Sequence, residues 1–215
     1  MTYLELVNNV LRRLREPVVT SVNDTPYSAM IGVFVNDAKR EVEDAADWNA
    51  LSSTITVTTT ADTYNYTLTN AGTRFRVIDV LNDTSNVVVR QAPATWLNQQ
   101  FILGTTTPNT PIYYGFNGVD SSDDTQVDLF PIPNAAYTLR FNLIIPQDDL
   151  VNNSDRVQVL DYLVAMLAYA KAIAERGEDG GNLSSEAYAL YKTALSNAVA
   201  IERNRYEDEL IWVRP

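Results

Sequence analysis

Near the start of the chain Leu4, Val7, Leu11 and Leu14 recur three or four positions apart, with polar residues between them. That period puts them on one face of a helix over residues 2–16. Thr2 followed by Glu5 fits a capping box, hydroxyl to the third amide and carboxylate back to the cap amide. Arg12, Arg13 and Arg15 suit the negative end of the helix dipole, and Glu16-Pro17 stops the helix.

A second helical period runs from Pro26 to about Trp48. Thr25 is a good N-cap and Pro26 a good first residue. Met30, Val33, Phe34, Ala38, Val42, Ala45 and Trp48 are expected to hold its apolar face. Asp37, Glu41 and Asp44 form an acidic ridge, read as a solvated face rather than a metal site.

From Leu51 the period shortens. "TITVTTT", "TYNYTL", "FRVIDVLN", "VVVRQ", "PIYYGFNG", "QVDLFPI" and "YTLRFNLII" are β-branched or aromatic and separated by turn residues. They predict about seven mostly antiparallel strands. "TADT" and "NDTSN" read as hairpin turns, and "ATWLNQQFIL" as a short helix after Pro93. The connections look too short for helical crossovers.

The helical period then returns. Ser154 is expected to cap a helix from about Asp155 to Arg176, with Val157, Leu160, Leu163, Val164, Leu167 and Ala170 inward and Gly177 ending it. Ser184 is expected to cap the last helix, with Leu183 and Tyr188 at staple spacing. Tyr191, Leu195, Ala198 and Ile201 continue its stripe. Helices at both ends and strands between them predict an α+β fold. The expected domains are a discontinuous helical bundle of residues 1–51 and 150–207, an inserted antiparallel β domain of residues 52–149, and a C-terminal arm of residues 208–215.

Composition narrows the function. Hydrophobic residues make up 46% of the 215, enough for a sizeable core. The net charge of −11 and pI near 4.4 argue against a phosphate-binding face. The chain has no cysteine and no histidine, which removes disulfides, thiol nucleophiles and the commonest general base near neutral pH. No stretch has the length and apolarity of a signal or membrane segment, so a soluble protein made in a cytoplasm is expected.

Catalytic patterns are weak. "GEDGG" lacks the spacing and lysine of a phosphate loop, and no G-x-S-x-G elbow occurs. "DSSDD" at 120–124 lacks the glycine and closing glutamate of an EF-hand and reads as a polar turn. No metal and no cofactor are expected. A glycosidase could work with two carboxylates and no histidine, but nothing in the sequence selects a pair. Trp96, Tyr113, Tyr114 and Phe116 could line a sugar groove, although at strand spacing core packing is the commoner use. A carboxylate-based glycoside hydrolase and a carbohydrate-binding module are therefore kept as alternatives.

Several segments in order resemble one family, the head-to-tail adaptor (connector) proteins of short-tailed bacteriophages. They are "LVNNVLRRLREPVVTSV", "FVNDAKREVEDAADWNALSSTITVTT", the hairpin-like "YNYTLTNAGTRFRVIDVLN", "TPIYYGFNG" with "LFPIPNAAYTLRFNLI", and "YLVAMLAYAKAIAERGED". "GGNLSS" and the tail after Tyr206 match least. The resemblance implies a non-enzymatic structural protein of the virion, assembled in the host cytoplasm. It would form a ring, twelve-fold in that family, below the portal. It would extend the DNA channel without specific DNA binding and dock the tail nozzle or tube, and often fibres.

An acidic wall would leave DNA free to slide, although acidity also simply aids solubility. The tail "YEDELIWVRP" places Leu210, Ile211, Trp212 and Val213 together at the chain end. Burying the four is worth on the order of 6–10 kcal/mol before ordering costs. They are read as a partner-binding arm, with folding back onto their own bundle as the rival. Ala165, Ala168 and Ala172, in an alanine-rich helix, are candidate inter-subunit contacts. Close packing inside a single subunit would use them equally well.

Overall fold

The computed structural model describes residues 1–104, 106–177 and 181–205. The chain forms two compact units, Met1–Leu51 with the chain from Pro146, and Ser52–Ile145. The fold is α+β, with helices toward both ends and strands between.

The first unit holds helices α1 (Tyr3–Arg13) and α2 (Pro26–Asp44) from the front of the chain. Helices α4 (Asp161–Arg176) and α5 (Asn182–Arg203) come from the back. The capping box of α1 is present: Glu5 N–H donates to Thr2 Oγ1 at 3.2 Å and Thr2 N–H to the Glu5 carboxylate at 2.8 Å. Two further amides of its first turn donate to the loop before α4, Tyr3 to the Asp155 carbonyl at 2.7 Å and Leu4 to that of Asn153 at 3.2 Å. Donors that a helix start leaves without helical partners thus tie the front of the chain to the segment that re-enters the unit. The helix closes in a Schellman turn. Glu16 N–H reaches the Leu11 carbonyl and Arg15 N–H that of Arg12, with Arg15 itself at φ 60° where glycine is usual.

The helix starting at Pro26 stops at Asp44, short of Trp48. Trp48 is buried instead as a cap, its indole N–H donating to the Val42 carbonyl in the last turn. The buried arc of α2 is also turned from the expected one. Ile31, Val35, Ala38 and Val42 are buried, while Val33 and Ala45 are exposed. The rotation has a cause: α2 lies against both α1 and α4, so its inner arc is wide and includes Gly32, Lys39 and Glu43.

The helix expected from Asp155 begins only at Asp161. Residues 151–160 are held as a loop because Asp155 serves as a turn residue. Its carboxylate accepts from the backbone N–H groups of Val151 and Asn152 at 2.9 and 2.7 Å, which holds its carboxyl below the usual range. Ser154 caps nothing. Asn36 of α2 clamps the same loop, bonding both the N–H and the carbonyl of Leu150. The last helix starts at Asn182 behind Gly181, so Ser184, Leu183 and Tyr188 all lie inside it. Ser184 Oγ donates to the Gly181 carbonyl, and Leu183 and Tyr188 are exposed rather than stapled.

The second unit packs two four-stranded sheets face to face. One runs β1 (Ser52–Thr58), β8 (Thr138–Ile144), β3 (Arg76–Asn82), β4 (Val87–Val88). The other runs β2 (Asn65–Thr67), β7 (Thr125–Phe130), β6 (Tyr113–Val119), β5 (Arg90–Gln91). Strand β8 alternates from Thr138 to Leu143, with Leu139, Phe141 and Leu143 inward and Arg140 exposed. The inward residues share one core with Val57 and Val80 of their own sheet and Tyr114, Val127 and Leu129 of the other.

Three sequence readings fail here. β2 pairs with β7 while β1 and β3 pair with β8, so neither "TADT" nor the stretch from Tyr64 to Asn82 makes a hairpin. Both carry the chain between sheets. The first is pinned by the Tyr66 hydroxyl, which accepts from Thr60 N–H and bonds the Thr63 carbonyl. "NDTSN" does turn a hairpin, β3 to β4. A crossover also exists: β5 and β6 are parallel and joined through helix α3 (Ala94–Leu103). Local alternation reports which face a residue takes, not which strand is its neighbour.

Candidate interaction surfaces

Ala165, Ala168 and Ala172 lie in the interior of the helical unit, each essentially without exposed surface. α4 runs between α1, α2 and α5, and its small side chains let these helices approach closely. In the folded chain their packing partners lie within the unit. Leu210, Ile211, Trp212 and Val213 lie outside the described residues.

The other sequence candidates resolve into packing. Tyr114 is buried in the β core, 5.7 Å from the Phe141 ring of the facing sheet, and Phe116 packs edge-on to Phe75 at 5.5 Å. Trp96 of α3 sits edge-on to Tyr113 and Phe130 at 5.2 and 5.4 Å, fixing α3 to its sheet. "DSSDD" forms the β6–β7 turn. Asp120 accepts from the backbone of Ser122 and Asp124, and the Asp124 carboxylate accepts from the N–H groups of Asn70 and Gly72. On the acidic ridge Glu41 pairs with Lys171 of α4, and Asp37 with Arg40. Among the described residues no three carboxylates converge in a way that would hold a metal ion.

One charged pair was hidden from sequence reasoning. Lys39 and Glu43, one turn apart on α2, have fully buried side chains with Nζ to Oε1 at 3.2 Å. Nζ also donates to the Gln147 carbonyl, and Gln147 N–H donates to Glu43. The pair thereby fastens the chain re-entering the unit at 146–148 onto α2. The only sequence signal was a Lys–Glu spacing of four, which usually marks a solvated surface.

Among the described residues of the helical unit, α5 carries an exposed apolar line. That helix runs 22 residues yet buries only Tyr191, Ala198 and Glu202, chiefly against α4. Both contacts are firm. Burial, with the Glu41 carboxylate nearby, pushes the Tyr191 phenol up to about 12, and the Glu202 carboxylate accepts from Asn49 N–H at 2.7 Å. Beside this buried line runs a second apolar line. Leu183, Leu190 and Ile201 are 48, 59 and 63% exposed. Ala187 and Ala194 fill the intervals. At about 100° per residue all five fall within roughly 60° of arc. Ile201 was expected inward, but Glu202 takes that place. In the β unit a smaller apolar tip ends α3, where Ile102 and Leu103 are 79 and 82% exposed.

A family model, SU10 adaptor protein, matches residues 1–211. The chain belongs to that family. The match agrees with the resemblance to phage head-to-tail adaptors and makes this protein a phage adaptor, a structural component of the virion. It takes in both units of the adaptor and reaches Ile211, leaving Trp212 and Val213 beyond its end. No curated protein matches the adaptor's sequence. Among its described residues no helix is long and apolar enough to cross a membrane.

Proposed function

We propose that this adaptor assembles into a ring below the portal, twelve-fold as the family resemblance implies, extends the DNA channel and docks the tail nozzle or tube. The observation that carries this is the family match across residues 1–211. Two physical features support it. The net charge of −11 favours a channel wall that does not hold DNA phosphates. The apolar line on α5 is exposed in the single chain, and a ring needs a heterologous contact that closes. The terminal arm, Leu210, Ile211, Trp212 and Val213, contributes to partner binding, with Trp212 as the anchor.

Negative-stain imaging of the purified protein mixed with its portal tests the reading. Rings stacked on the portal are expected. Particles that stay single and leave the portal bare reject it.

A further inference from the structure

We propose that the open line on α5 is the acceptor for the C-terminal segment of a second copy of this chain. This rests on the ring reading and names the pairing that would close it.

Two apolar stretches of one chain make up the pairing. One is the line Leu183, Leu190 and Ile201, with Ala187 and Ala194 between. The other is the run Leu210, Ile211, Trp212 and Val213, five to eight residues past Arg205, where the described chain ends. The run is contiguous and spans about 13 Å extended. The stretch of α5 from Leu183 to Leu190 is about 10 Å long. The sizes fit.

Reach decides between a chain's own segment and a neighbour's. To fold back on its own α5 the chain must first reverse, consuming about four residues, Tyr206–Glu209. The remaining six span at most about 20 Å. Leu190 lies about 22 Å back from Arg205 along the axis and Leu183 about 33 Å. Folded back, a chain's own apolar run would meet the Ile201 end and would fall short of Leu183 and Leu190. A segment arriving from another copy carries no such tether and can seat on Leu183 and Leu190. The donor end of one copy on the acceptor helix of the next is a heterologous contact, repeatable from copy to copy until it closes.

Two full-length variants isolate the halves. Ile211→Gln together with Trp212→Gln removes the donor. Leu183→Gln together with Leu190→Gln removes the acceptor, at exposed positions of a helix that tolerates glutamine. A fluorescent peptide of residues 206–215 is titrated against the donor variant, and against the same chain carrying the acceptor changes as well. Binding to the first, weakened at least tenfold in the second with unchanged circular dichroism, supports the pairing. Equal binding, or none at millimolar peptide, overturns it. Sedimentation of the two variants mixed then separates a neighbour's segment from a chain's own. A mixed dimer absent from either variant alone is expected, and its absence overturns the exchange. Ring formation on the portal is read separately, so rings without peptide binding sink this pairing alone, and peptide binding without rings sinks the ring reading alone.

Discussion

α4 and α5 are built from nearly the same residues, rich in alanine, leucine and tyrosine, yet they are used differently. α4 buries Leu163, Val164, Ala165, Leu167, Ala168, Ala170, Ala172 and Ile173 among three neighbouring helices. α5 is six residues longer by its bounds and buries three. The difference lies in where each helix sits rather than in what it is made of. Alanine in α4 marks helices drawn close inside the unit. Leucine and isoleucine on α5 mark a surface the unit itself does not cover.

The comparison implies that changes at the interior cost folding and changes on α5 cost assembly. The largest effect is expected at Lys39. Lys39→Ala takes the ammonium away from a fully buried carboxylate and from the Gln147 carbonyl. About 3–5 kcal/mol of stability should be lost, read as a fall in the urea midpoint. Lys39→Met combined with Glu43→Leu removes both charges at similar volume and should recover most of it. A single change with no effect would show that the interior of this unit is not closed as described.

Next comes Ala168→Leu. Ala168 has no free surface, so the added carbons must push α4 off its neighbours, at about 1–3 kcal/mol. Gly32→Ala should act similarly between α1 and α2, because a Cβ there meets the Tyr3 hydroxyl at 2.5 Å and Val22 Cγ1 at 2.8 Å. The helix propensity gained, about 1 kcal/mol, offsets part of the clash. Thermal denaturation checks both, and stabilisation would contradict tight packing around α4 in the first case and between α1 and α2 in the second. A gain is expected at Arg15, whose φ of 60° carries a cost of about 1 kcal/mol that glycine avoids. Arg15→Gly should raise the melting temperature by a few degrees.

Much of the fold was legible in the sequence and the open surface was not. The capping box at Thr2 and Glu5, the α3 segment after Pro93 and the alternation of β8 depend on residues near one another in the chain. Their physics is local. The failures depend on distant partners. Asp155 looked like a helix start because its turn bonds and its carbonyl bond to Tyr3 cannot be seen in the order of residues. Strand neighbours in the two sheets were misassigned for the same reason. Helical period alone places Ile201 inward, because it cannot separate two apolar lines lying side by side on one helix. The excess was visible, since α5 carries more apolar positions than one buried face needs. Which line stays open depends on where α4 lies.

The smallest folding effect is therefore the most informative. Leu190→Gln removes a large apolar side chain that is 59% exposed, from a helix whose buried line is Tyr191, Ala198 and Glu202. Glutamine is nearly as good a helix former as leucine, so stability should stay within about 0.5 kcal/mol of the parent. Leu195, half-buried on the buried side of the same helix, supplies the contrast: Leu195→Gln should cost about 1–2 kcal/mol. If Leu190→Gln were the more destabilising of the two in chemical denaturation of dilute protein, Leu190 would belong to the interior and α5 would have no open line. If it is neutral in dilute protein but lowers the melting temperature only at high concentration, the missing stability belongs to an associated state, as mass action requires. Only the second outcome distinguishes α5 from α4 in kind rather than in degree.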